Sequence, residues 1–204
     1  KEPVKVPLVL SKKEIKRILA MAPSLKARVM LSLAYGCGMR AGEVVRLKVG
    51  DIDSAQQIIR IVQAKGRKDR NVMLPVDILG LLRAWWKERP SGQDMDVAAP
   101  ERVLFPGYRG KHLSARQISR LFKQTAQEAG ITKPVTLHTL RHSFATHLLE
   151  RGVDIRVIQA LLGHTKLTTT ARYASVATGM IAAVDSPLDD LNQTKPKKGK
   201  PKPS

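Results

Sequence analysis

Four short segments hold the side chains that could do chemistry. In Leu137-His-Thr-Leu-Arg-His-Ser-Phe-Ala-Thr-His-Leu148, His138 and Arg141 stand three apart, on one face of a helix start. Leu140, Phe144 and Leu148 form a separate apolar stripe that would anchor that helix. Tyr35-Gly-Cys-Gly-Met-Arg-Ala-Gly-Glu43 sets Arg40 just past a glycine-flanked helix end, with Glu43 three residues on to orient it. Leu161-Leu-Gly-His-Thr-Lys-Leu-Thr-Thr-Thr-Ala-Arg-Tyr173 puts His164 on a turn and Tyr173 nine residues later. Ala64-Lys-Gly-Arg-Lys-Asp-Arg70 supplies Lys65, Arg67, Lys68 and Arg70. Guanidiniums fork onto phosphate oxygens, histidine and lysine move protons, and a phenol is a nucleophile once deprotonated. Each segment also has a plainer reading when taken singly. These are a solvated arginine beside a satisfied histidine, an ordinary surface charge at Arg40, and a helix-turn-helix with a structural tyrosine. The basic segment reads either as a solvated turn or as a set of phosphate contacts, and the net charge of +19 favours the contacts.

The elements that must position these groups are largely helical. Ser11 and Glu14 form a capping box that opens a helix to about Met21. Ser24 caps an apolar core helix, Leu25 to Cys37, ended by Gly36 and Gly38, and Ala41 to Leu47 makes a further short helix. The period then changes. Ile58 to Val62 and Asn71 to Leu74 read as two strands of a hairpin whose basic tip is Lys65 to Arg70. Val76 to Lys87 is an amphipathic helix carrying Trp85 and Trp86, one expected in the core and one half-exposed. Arg89 to Pro106 reads as loop. Ser114 and Gln117 box the start of a helix that Gly130 closes. Helices from near Thr139 to before Gly152, from Asp154 to Gly163, and from Thr168 to Ala177 complete the series.

Composition narrows the function. Lys and Arg total 36 against 17 Asp and Glu, an electrostatic footprint for a polyanion. Lys195 to Ser204 holds five lysines, three prolines and no acid, and reads as a disordered cationic tail. Without it the body still carries +14, so the basic character belongs to the fold. Aromatics at 4% argue against a single-strand binder built on stacking platforms. The single cysteine, Cys37, excludes an internal disulfide and a cysteine zinc cluster, and reads as an inert buried thiol. His138 and His142 are four apart, but no intervening Glu or cysteine supports a metal site; His142 and His147 read as hydrogen-bonded helix residues. The longest apolar run, Val29 to Met39, falls far short of the ~20 residues a spanning helix needs.

Taken together, and in this order, the motifs resemble the catalytic domain of a tyrosine recombinase of the phage-integrase type. The residues that carry the resemblance are Gly38-Met-Arg-Ala-Gly-Glu43, Ala64-Lys-Gly-Arg-Lys-Asp69, His138-Thr-Leu-Arg141, Leu162-Gly-His164 and Tyr173. The resemblance implies an α+β fold, mostly α, with a small antiparallel hairpin or three-stranded sheet at one edge. It implies that Arg40 and Arg141 clamp the phosphate, Tyr173 is the nucleophile, Lys65 is the catalytic lysine, and His138 and His164 complete the pocket. Residues 11–177 would form the catalytic domain, 178–194 a helical or extended segment, and 195–204 the tail. Residues 1–10 would be the linker from a helical core-binding domain that the family normally carries and this chain lacks. Met180 to Leu191 resembles, more weakly, a transposon-associated subgroup.

The chemistry agrees with this assignment. A phosphodiester under attack gains charge on its non-bridging oxygens, which two guanidiniums can hold bidentately. A phenol of ordinary pKa ~10 needs help to lose its proton, and nearby arginines favour the phenolate. The clamp needs no metal, and exchange of one phosphoester for another needs no ATP, so no cofactor is expected. The expected partner is double-stranded DNA, bound by a homotetramer in a reducing, cytoplasmic setting with no membrane contact. Two rival readings remain: a type IB topoisomerase-like nick-closing enzyme, and a non-enzymatic helix-turn-helix regulator built on Asp154 to Tyr173. Val176 to Leu191 carries Ile181, Val184, Leu188 and Leu191 at near-helical spacing, and would dock either on its own domain or on a neighbouring protomer.

Overall fold

The computed structural model describes residues 8–62, 69–90, 92, 94–107, 112–163 and 184–192. Its helices are α1 (Lys12–Ala20), α2 (Leu25–Gly36), α3 (Ala41–Arg46), α4 (Val76–Glu88), α5 (Ala115–Glu128), α6 (Leu137–Glu150), α7 (Ile155–Leu162) and α8 (Asp189–Asn192). Three strands, β1 (Ile52–Asp53), β2 (Ile58–Ile61) and β3 (Arg70–Met73), pair antiparallel in sequence order. The expected mostly helical fold with a small sheet is what forms.

Helix α2 sits at the centre because it is apolar on every side. Val29, Leu31, Leu33, Ala34 and Tyr35 are fully buried, and the helix packs against α1, α3, α4, α5 and α6. The flanking helices start where their caps put them. Ser11 Oγ accepts from the Glu14 amide while Glu14 Oε2 accepts from the Ser11 amide, and Ser114 and Gln117 repeat the arrangement on α5. Ser24 Oγ accepts from the Ala27 amide at the start of α2. Trp85 is buried with its indole N–H donating to the Leu104 carbonyl at 2.7 Å, whereas Trp86 lies at the surface.

Helix α6 and strand β1 differ from the sequence reading. Helix α6 begins at Leu137, before Thr139, because Thr136 takes the cap position and its amide donates to Thr139 Oγ1. His138 is therefore inside the first turn. Strand β1 is two residues long and exists through a tight hairpin with β2, Ile52 opposite Ile59 and Asp53 opposite Ile58. Residues 65–68 of the expected hairpin tip, the helix from Thr168 to Ala177 and the tail from Lys195 lie outside the described residues.

The described part of the carboxy-terminal segment packs on its own domain. Ser186 Oγ donates to the Gly36 carbonyl at 2.7 Å, and Leu188 and Leu191 are buried. Ser186 Oγ accepts from the Leu188 amide in a turn that leads directly into α8. Arg151, at the end of α6, donates to the carbonyls of Asp185 and Ser186 and fixes the segment's path.

Candidate active site

Arg40 is the N-cap of α3, in extended conformation, immediately after the turn that ends α2. The turn requires Gly38, whose φ is +61°. A Cβ there would lie 2.6 Å from the Phe144 ring, so the missing side chain also lets the Arg40 turn approach α6. Glu43, one turn into α3, grips Arg40 twice: Oε2 accepts from the Arg40 amide at 2.7 Å and Oε1 from Nη1 at 2.9 Å. The expected orienting role of Glu43 thus has a direct geometry. The Arg40 side chain remains 31% exposed, so its guanidinium still reaches solvent.

Helix α6 brings in the second arginine. Leu140, Phe144 and Leu148 are fully buried, as their stripe predicts, and Arg141 lies among them at 3% exposure. Its Nη1 donates to the Gly38 carbonyl at 2.6 Å, and its Nη2 donates to the Leu162 carbonyl. Two of the five guanidinium N–H groups are thereby used for orientation among the described residues. Burial pushes Arg141 down to about 9, with repulsion from Arg40 and Arg70 adding to the shift and Glu43 opposing it. The group therefore keeps its charge at neutral pH. His138 is exposed on the first turn of the same helix, and its ring meets His142 edge-on at 4.4 Å.

Arg40, His138 and Arg141 line one open groove of about 950 Å³. Its far wall is α5, which contributes Arg116, Arg120 and Lys123. These three recur at i, i+4 and i+7 and are exposed, while Ile118, Phe122 and Ala126 bury the opposite face. In sequence their i, i+4, i+7 spacing is the one signal that sets these three cations on a single helix face.

Arg70 corrects an expectation. Sequence groups it with Arg67 and Lys68 as a phosphate contact, but its side chain is 7% exposed and bonded within the protein. Nη1 and Nη2 donate to Glu43 Oε1 and Oε2, both at 2.8 Å, and Nε donates to the Leu161 carbonyl at 2.7 Å. Strand β3 begins one residue earlier than the hairpin pattern suggests, with Arg70 opposite Ile61, and this register turns the side chain inward. Glu43 consequently accepts four hydrogen bonds. Burial alone would raise its carboxyl; Arg70 and then Arg40 outweigh burial and hold it at about 2.

Lys65, Arg67, Lys68, His164 and Tyr173 lie outside the described residues, so the structure brings together Arg40, Glu43, His138 and Arg141 from the expected set. Among the remaining groups, His147 is a core histidine, 2.9 Å from the Tyr35 hydroxyl, and Cys37 is fully buried, with burial pushing its thiol up. Among the described residues no cluster of three His, Cys, Asp or Glu could hold a metal ion, and no helix is long and apolar enough to cross a membrane.

The model of the phage integrase family matches residues 9–180. The chain is 40% identical over 197 residues to the putative integrase/recombinase y4qK of Sinorhizobium fredii, covering 96% of this chain and 61% of that protein. Among solved structures it is similar to the XerA recombinase, with a TM-score of 0.71 and 32% identity over 94% of this chain and 63% of that one. It is also similar to the XerH site-specific recombinase bound to its difH substrate in a pre-cleavage complex. There the TM-score is 0.67 and the identity 28%, over 83% of this chain and 50% of that one. The chain thus spans about three-fifths of the length of the first of these relatives.

Proposed function

The chain belongs to the phage integrase family, and from that premise we propose that it is the catalytic part of a tyrosine recombinase that cuts and rejoins double-stranded DNA. The observation that carries this reading is the meeting of Arg40 and Arg141 at one cationic groove, each aimed by hydrogen bonds within the protein. Fixed, pre-aimed cations act where charge develops in a transition state, and deleting one such donor typically costs ~10²–10³ in rate. The similar XerH site-specific recombinase, solved bound to its difH substrate, supports DNA as the partner.

In this reading the Tyr173 phenolate attacks phosphorus and the bond to the 5′ oxygen breaks. Lys65 gives that oxygen a proton. The products are a 3′-phosphotyrosine and a free 5′ hydroxyl. Joining reverses the step with the 5′ hydroxyl of another strand. Arg40 and Arg141 clamp the non-bridging oxygens throughout, and His138 and His164 complete the pocket. One phosphoester replaces another, so neither a metal ion nor ATP is called for. Residues 11–177 form the catalytic unit in this reading, Arg67 and Lys68 meet DNA phosphates, and four copies act on two duplexes. In that assembly the segment that here covers Gly36 would exchange onto a neighbouring protomer. The setting is the cytoplasm, where the DNA is.

The test is strand joining. A nicked duplex, recovered by covalent capture from a randomised pool, is cleaved with the chain and then offered a second duplex bearing a 5′ hydroxyl. With excess chelator and no ATP, a joined product between the two duplexes is expected. Resealing of the original strand alone would favour the nick-closing rival, and binding with no adduct would favour the regulator.

A further inference from the structure

Arg70 has a role that neither a surface charge nor a phosphate contact explains. It is the first residue of β3, yet its side chain crosses to two other parts of the fold. Through Nη1 and Nη2 it forks onto both oxygens of Glu43, the residue that holds Arg40. Through Nε it caps the Leu161 carbonyl, next to the Leu162 carbonyl that holds Arg141. Its aliphatic stem lies across Gly163: a Cβ there would stand 2.9 Å from Arg70 Cδ, and Gly163 has φ +62°. The glycine that ends α7 therefore also clears the path by which Arg70 reaches that helix end.

Charge makes the contact more than a strut. Glu43 is anionic and touches Arg40 directly. With no other cation beside it, Glu43 would hold the Arg40 guanidinium against the pull of a phosphate. Arg70 neutralises that carboxylate with a planar fork, which a lysine's point charge cannot match at both oxygens. More of the charge of Arg40 is then left for a substrate.

We propose that Arg70 is a positioning residue for the recombinase reaction: it sets Arg40 through Glu43 and the α7 end beneath Arg141 through Leu161, and frees the charge of Arg40 for the phosphate. This rests on the recombinase reading above.

The test compares two versions of the captured nicked duplex at saturating DNA. One carries the natural scissile phosphate. The other carries a methylphosphonate, in which a methyl group replaces one charged non-bridging oxygen. A residue that acts through the arginine clamp matters more on the charged substrate. Arg70→Gln should lower the single-turnover rate on the phosphate at least ~10-fold, while the rate on the methylphosphonate falls much less, as in Arg40→Ala. Affinity and its salt slope should stay near those of the unaltered chain, because no phosphate contact is lost. A purely structural role would lower both rates by the fraction unfolded and leave their ratio unchanged, which would overturn the proposal. A salt slope reduced by about one would overturn it in favour of a phosphate contact. If Arg70→Gln does not fold, Arg70→Lys is read in the same way; it keeps the charge but loses the fork, and the ratio should fall in the same direction. No adduct with the unaltered chain would overturn the recombinase reading and the role of Arg70 together, whereas a normal adduct with an unchanged ratio overturns the role alone.

Discussion

Arg141 donates through Nη1 to the carbonyl of Gly38 at 2.6 Å, so a side chain from α6 fixes the backbone two residues before Arg40. The two arginines are not independent surface charges that happen to face one groove. One is part of the scaffold of the other, and the contact spans 103 residues of sequence.

Substitution of Arg141 should therefore do more than remove a charge. Arg141→Lys cannot reach the Gly38 and Leu162 carbonyls together, so cleavage should fall by ~10² or more even though the charge is kept. DNA affinity should change far less. Single-turnover cleavage and equilibrium binding, measured on the same duplex, check this; equal losses in both would make Arg141 a binding residue only.

The α5 face should behave differently. Arg116→Ala, Arg120→Ala and Lys123→Ala should each weaken binding to all DNA sequences and flatten the slope of log affinity against log salt by about 0.9. Cleavage at saturating DNA should stay close to that of the unaltered chain. A large loss of the saturated rate in any of them would move that residue into the chemistry.

Glu43 gives a prediction in acid. Its carboxyl titrates at an ordinary 4.5 in the unfolded chain and at about 2 in the fold, so protons bind the unfolded chain more readily. The stability this group contributes is complete above the ordinary value and drains as pH falls from there toward 2. It is on the order of 3 kcal/mol from the size of the shift. Unfolding titrations should show the gap between the unaltered chain and Glu43→Gln narrowing through that window. A gap that does not depend on pH would mean the carboxylate is not held by Arg70 and Arg40.

The local parts of this architecture were legible in the sequence. Ser11 with Glu14 and Ser114 with Gln117 cap within four residues, and the β-branched run of Ile58, Ile59 and Ile61 marks a strand by residue type alone. The stripe of Leu140, Phe144 and Leu148 likewise announces which face of α6 is buried. What sequence could not give depends on partners far along the chain. Arg70 sits in a basic run that looks solvated, and its burial follows from Glu43, 27 residues earlier, and Leu161, 91 residues later. Strand β1 escapes for a different reason: its partner in β2 is only a few residues away, but two residues are too few to carry a period. Arg40, Glu43, His138 and Arg141 were legible as a set through the order of the motifs, because each alone has an ordinary surface reading.

Lys65 is tested by changing the leaving atom. A 5′ alkoxide is about as basic as hydroxide, from water of pKa ~15.7, and needs a proton as the bond breaks. A thiol of pKa ~8.5 leaves without one. Lys65→Ala should cleave the ordinary substrate very slowly and a 5′-bridging sulfur substrate near the unaltered rate, whereas Lys68→Ala should show no such selective rescue. Failure of sulfur to rescue Lys65→Ala would remove Lys65 as the general acid.

The most direct measurement is the identity of the residue joined to DNA. The chain has three tyrosines, and Tyr35 is fully buried with its hydroxyl on His147, which leaves Tyr108 and Tyr173 as candidate attackers. Covalent trapping on the captured nicked duplex, followed by proteolysis and mass mapping, should yield a single DNA-linked peptide with a 3′ phosphate on Tyr173, and Tyr173→Phe should bind the duplex and form no adduct. An adduct on any other residue, or one undiminished in Tyr173→Phe, would contradict the account.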